Sequence, residues 1–196
     1  QAEMAPDIES LHVEITGFLE RVQAEQPETK LDTGADDFLS IVKQFPDVNT
    51  LDTGSEKHYT ILGKLAEASG DLQEGLLVAC LRAVLEARAD PNCRCPQNKY
   101  TPLHSFASKC RRSVASDAVS LLLAARANPN LKTKIKNSVL DVAGQKKNLF
   151  VAEPLLEARG ERDVFQWAAK AGVTEYMRSV LMKHVGQDVY DRIEPG

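Results

Sequence analysis

The sequence predicts an all-α solenoid in which helix–turn–helix units stack in a row, about three to five of them once divergent caps are included. Two recurrences predict it. The run VLEARADPN ends at Asn92, LLAARANPN ends at Asn130 and LLEARG begins at Leu155, so Val84, Leu122 and Leu155 lie 38 and 33 residues apart. A helix start recurs beside them: YTILGKLA around Thr60, YTPLHSFA around Thr101, NSVLDVAG around Ser138 and DVFQWAAKAG around Asp163. Each leading residue has a side-chain oxygen that accepts from the free N–H groups of a first helical turn, and Pro102 loses no hydrogen bond at the first helical position. With 43% hydrophobic but only 6% aromatic residues, the composition suits small side chains packed between helices.

In chain order, Ile8, Leu11, Val13, Ile15, Phe18, Leu19 and Val22 suit an amphipathic helix. AEQPETKLDTGADD then reads as a polar loop, and DDFLSIVKQFPDVN as an outer helix with its ending. Residues 1–49 are therefore expected to form an acidic N-terminal helical cap that closes the stack with a wetter outer face. In the first full unit, 50–92, Leu76, Leu77, Cys80, Leu81, Val84 and Leu85 make one apolar stripe. The second unit, 93–130, holds CRRSVASD between its helices, a length that predicts an inserted loop. The third, 131–162, contains Pro154, which predicts a kink or a short outer helix starting near it. Only 25 residues separate Ser138 from Asp163, against 37 between Thr101 and Ser138, which leaves no room for a hairpin between one helix and the next. Residues 163–196 are thus expected to be a C-terminal capping repeat and tail, sealed by Phe165, Trp167, Val180 and Leu181.

Thr101, Pro102, Leu103 and His104, set in a period of this length, resemble the signature of the ankyrin-repeat family. The resemblance runs from about residue 36 to 186. It implies that each unit is a helix–turn–helix followed by a hairpin-like finger, with QWAAKAG continuing an inner helix and ARADPN and ARANPN leaving an outer one. Ile61, Val139 and Val164 replace the proline, and Gly63, Asp141 and Gln166 replace the histidine. The buried hydrogen bonds of the histidine are therefore expected in the second unit but not in the others.

Catalytic and metal-binding readings find little support. Cys93 and Cys95 with Cys110 and His104 make a poor zinc site, because no second closely spaced pair accompanies them. Cys80 lies on an apolar helix face, where cysteine behaves as a small hydrophobe, and the expectation is four free thiols. Cys110 with His104 or His58 lacks a third orienting group, and no phosphate-cradling glycine loop or paired metal-ligand histidines occur. The expected protein is non-catalytic and needs no cofactor. No apolar run approaches a membrane span of roughly 18 residues. The expected location is the cytoplasm or nucleus, or an organelle after loss of a presequence.

Charge is the discriminating feature. Residues 1–40 hold ten acidic side chains against Arg21 and Lys30, whereas residues 94–147 hold eleven Lys or Arg against Asp117 and Asp141. The overall charge of −4 conceals this polarity. On the family pattern CRCPQNKY, with Arg94 and Lys99, is the second finger, and NLKTKIKN is the third, with Lys132, Lys134 and Lys136 spaced to project on one side of an extended strand. The resemblance further implies contact positions at Ser108, Lys109, Gln145, Lys146 and Lys170 on the inner helices, with Tyr100 and Ile135 as apolar anchors. A basic concave face of this kind favours an acidic protein surface or peptide. Two alternatives share the scaffold: a structural or regulatory subunit of a larger assembly, and a polyanion or nucleic-acid binder. Few aromatic residues for base stacking and an acidic N-terminus argue against nucleic acid.

Overall fold

Two parallel layers of helices organise the chain. The computed structural model describes residues 8–24, 31–45, 47–52, 59–110, 112–148, 150–152 and 154–158. These contain seven helices: α1 (Ile8–Ala24), α2 (Leu31–Gln44), α3 (Ile61–Ala68), α4 (Glu74–Glu86), α5 (Pro102–Lys109), α6 (Val114–Ala124) and α7 (Val139–Lys146). Residues 150–152 and 154–158 are helical too, and Pro154 is buried at the start of the second of these stretches. The short helices α1, α3, α5 and α7 form the inner layer, except that α1 is longer, and α2, α4 and α6 form the outer one. No strand occurs among the described residues. The expected C-terminal cap, with Phe165, Trp167, Lys170, Val180 and Leu181, lies outside the described residues, as does His58.

One continuous core runs between the layers, as a stack with only neighbour contacts requires. Its side chains include Leu11, Phe38, Leu65, Leu77, Phe106, Leu122 and Leu140, all fully buried. Phe18 of α1 and Phe38 of α2 meet at 5.2 Å with rings tilted by 54°, which ties the N-terminal pair together. That pair is larger than the sequence suggests, because LDTGADD is helical and not loop. The local propensity of Asp, Thr and Gly is overridden by packing: at Gly34 a Cβ would stand 3.3 Å from Leu76 Cδ1, so the bare backbone lets α2 approach α4.

The helix starts behave as their sequences dictate, with one substitution of chemistry. Thr60 Oγ1 accepts from Gly63 N–H at 3.2 Å, and Ser138 Oγ accepts from Asp141 N–H at 3.2 Å. In α5, His104 Nδ1 accepts from Thr101 N–H and from the Thr101 hydroxyl. In α7 the carboxylate of Asp141 takes over that task, accepting from Ser138 N–H at 2.8 Å and from Ser138 Oγ–H at 2.9 Å. The bonds expected only with histidine are thus partly preserved by another acceptor, whereas Gly63 has no side chain to make them.

CRRSVASD is no inserted loop. Ser113 already precedes the first residue of α6, leaving a short turn between α5 and α6. Arg112 in that turn donates to the carbonyls of Ser69, Gly70 and Leu72 beyond α3, so the residues that look surplus close the preceding helix end. Asn148 does the same for α5, its amide donating to Ala107 O at 3.1 Å and Cys110 O at 2.6 Å.

The outer-helix endings interlock through asparagines. Asn49 Nδ2 donates to Arg88 O while its Oδ1 accepts from Asp90 N–H, and one unit on Asn92 Nδ2 donates to Arg126 O while its Oδ1 accepts from Asn128 N–H. Arg88 and Arg126 adopt left-handed backbone, φ 64° and 67°, which turns their carbonyls toward the preceding unit. Replacing Asn92 by alanine removes both bonds of one rung and is expected to cost about 1–2 kcal/mol. Urea denaturation checks it, and a change within error would show that water replaces the amide there.

Candidate interaction surface

The fingers are tight turns, and this corrects the expected extended strand. Thr133 N–H donates to Asn137 O at 2.9 Å and Lys136 N–H folds back to Thr133 O at 3.0 Å. Lys136 has φ 67°, a left-handed conformation that ends any period-two alternation. The second finger repeats the design: Cys95 N–H donates to Tyr100 O, Lys99 N–H returns to Cys95 O, and Lys99 has φ 60°. In the first finger Asp52 N–H donates to Tyr59 O at 2.9 Å.

The second and third fingers are joined edge to edge. Lys134 N–H donates to Asn98 O at 2.8 Å, and the Arg94 guanidinium donates to Lys132 O. Arg94, Lys99, Lys132, Lys134 and Lys136 are all exposed on this edge. Ile135, 73% exposed, stands at the tip between two of the lysines. The structure therefore brings the six expected finger residues together, although by turns and cross-links that alternation does not describe.

The inner helices contribute less charge than expected. Lys109 is half-exposed and forms an ion pair with Glu67 Oε2 at 2.9 Å, so its charge is balanced from the preceding unit. Glu67 also accepts from the Tyr59 hydroxyl, and burial, reinforced by that carboxylate, pushes the Tyr59 phenol above its ordinary range. Ser108 is half-buried at the position equivalent to Glu67, while Gln145 and Lys146 on α7 are exposed. Tyr100 is half-buried with its ring 5.5 Å from that of His104, so it is committed to the fold more than an open anchor would be.

Sequence reading missed a second polar cluster, between α1 and the first unit. Lys64 Nζ reaches Asp52 Oδ2 at 2.8 Å, Thr16 Oγ1 at 2.7 Å and His12 O at 3.2 Å. His12 is buried, its Nε2 near Thr50 O at 3.1 Å, and its Nδ1 has no hydrogen-bond partner among the described residues. Burial, then the Lys64 ammonium, lowers the His12 pKa. No single-segment motif announces this cluster, because its members come from two helices and a finger.

The cysteines are free thiols: Cys80, Cys95 and Cys110 are buried and Cys93 is half-buried. Burial pushes the Cys80 thiol up to about 12, away from nucleophilic chemistry. Cys110 and His104 sit near opposite ends of α5, about 9 Å apart along its axis, too far for a nucleophile–base pair. Among the described residues no group of three potential ligands could hold a metal ion, and no helix is long and apolar enough to cross a membrane.

The ankyrin-repeat family model matches residues 98–134. The match begins in the second finger, takes in α5 and α6, and ends in the third, which is one complete structural unit. That unit is an ankyrin repeat, and like helix pairs stack on either side of it in an all-α solenoid. Comparison with curated proteins gives no match. Ankyrin repeats are generally protein–protein interaction modules and typically non-catalytic.

Proposed function

We propose that this chain is a non-catalytic docking protein whose second and third fingers, with the adjoining inner-helix residues Gln145 and Lys146, bind an acidic protein surface or peptide. The observation that supports this most directly is the choice of lysine at two left-handed positions. Lys99 and Lys136 occupy backbone that glycine adopts without steric cost and that costs an ordinary residue roughly 1 kcal/mol. Arg88, Arg126 and Lys147 share that conformation, but each follows a helix end where a cation is favourable to the helix dipole. Among the described residues the finger lysines have no such compensation, and their charge gains its use from a partner. Fingers pre-formed by backbone hydrogen bonds lose little entropy on binding. On this reading units 50–92, 93–130 and 131–162 stand between an acidic cap (1–49) and a capping repeat (163–196) with Lys170 at the rim.

A short Asp/Glu-rich peptide with one leucine, followed by fluorescence anisotropy, tests the proposal. Reversing Lys132, Lys134 and Lys136 to glutamate is expected to weaken binding by about tenfold or more, with the melting temperature unchanged. Lys99→Gly with Lys136→Gly is expected to weaken binding while leaving stability equal or higher. Equal affinity in all three proteins would remove the fingers from the binding surface.

A further inference from the structure

We infer that the basic fingers of one copy dock the acidic N-terminal helix of a second copy, so that the chain associates with itself through unlike surfaces. This rests on the reading of the fingers as a docking edge for an acidic partner and names that partner. Two of the most exposed large apolar side chains among the described residues stand at opposite poles of charge. Ile135, 73% exposed, lies between Lys134 and Lys136; Val13, 70% exposed, lies on α1 beside Glu14, with exposed Glu20 two turns further along the same stripe. Val13 breaks the amphipathic pattern of its helix, in which Leu11, Ile15, Phe18 and Leu19 are buried. A β-branched side chain at an exposed helical position gains nothing from its own fold.

Three pairings of these two patches exist, and charge selects one. Finger against finger would oppose lysines, and α1 against α1 would oppose glutamates within a segment holding ten acidic side chains against two basic ones. Finger against α1 sets opposite charges around an apolar contact between Ile135 and Val13, which favours that pairing and penalises the others. Copies that make the contact twice close as a two-fold pair; copies that make it once per neighbour propagate as a row. With a single apolar contact and a charged rim, the association is weak, with a dissociation constant on the order of 100 μM at low salt.

Sedimentation equilibrium of the whole chain tests this with charge exchange. At low salt the weight-average mass is expected to rise above the 21.6 kDa of one chain with increasing concentration, and to return to it in roughly 0.5 M salt. A finger variant, Lys134→Glu with Lys136→Glu, and a helix variant, Glu14→Lys with Glu20→Lys, are each expected to stay monomeric alone. Mixed in equal amounts they present opposite charges again, and the raised mass is expected to return. Ile135→Ser, which alters no charge, is expected to weaken association at least threefold. A wild-type chain that stays monomeric, variants that associate as the wild type does, or a mixture that fails to recover would each overturn the inference. If the monomeric wild type still binds the acidic peptide and loses it on lysine reversal, only the self-pairing is overturned; if it binds neither, the docking reading falls as well.

Discussion

Replacing Lys64 by alanine is expected to cost about 3–5 kcal/mol, the range for removing one member of a buried ion pair. The side chains of Lys64 and Asp52 are only 11% and 13% exposed. The ammonium has three donors and finds three acceptors, the Asp52 carboxylate, the Thr16 hydroxyl and the His12 carbonyl. Alanine takes the Lys64 ammonium away from the largely buried Asp52 carboxylate and withdraws two anchors from α1. Because α1 meets the rest of the stack mainly through α2 and α3, the loss falls first on the N-terminal pair. Amide hydrogen exchange is therefore expected to speed up in α1 before α5 responds, with the urea midpoint falling in parallel. Combining Lys64→Met with Asp52→Asn removes both charges and is expected to recover a large part of the loss, so a double-mutant cycle should show strong coupling. A Lys64→Ala cost below about 1 kcal/mol would mean that water screens the pair as it does on a surface.

This cluster also marks the boundary of what could be read from the sequence. Thr60, Thr101 and Ser138 were legible as helix starts because a cap acts over three residues, and VLEARADPN and LLAARANPN as endings because the run recurs. Asp52, Lys64, Thr16 and His12 were not legible, since they meet only after α1 has packed on α3, and nothing local records that distance. The same limit explains α2: LDTGADD has turn composition, and its packing on α4, where Gly34 comes against Leu76, is not written in the segment itself. In the fingers it was the expected strand geometry that was wrong. NLKTKIKN alternates as a strand does, but alternation cannot reveal that Lys136 turns left-handed or that Lys134 is held by Asn98 one unit away.

Acidification from pH 7.5 to 5 is expected to destabilise the stack by about 2 kcal/mol through His104 alone, and by about 3 kcal/mol once its protonation in the folded state is complete. The cause is geometric. Nδ1 accepts from both the backbone N–H and the hydroxyl of Thr101, at 3.3 Å and 2.8 Å, so the ring hydrogen belongs on Nε2, which faces Asn137 O at 3.4 Å. A second proton on Nδ1 would abolish both acceptances in a site the residue shares with no solvent. Burial chiefly, opposed by the Asn137 carbonyl and aided by Arg94, lowers its pKa from 6.5 to about 4. The folded chain thus binds the proton less readily than the unfolded one, and the stabilisation is complete above pH 6.5 and lost as pH falls toward 4. His12 is shifted the same way and adds to the loss. His104→Gln keeps an acceptor for Thr101 without a titrating group, so its urea midpoint is expected to fall less over this interval than that of the wild type. Parallel curves for the two proteins would assign the acid sensitivity to His12 and the carboxylates. A flatter curve for His104→Gln would assign it to the junction of the second and third units, whose neighbouring fingers form the basic edge.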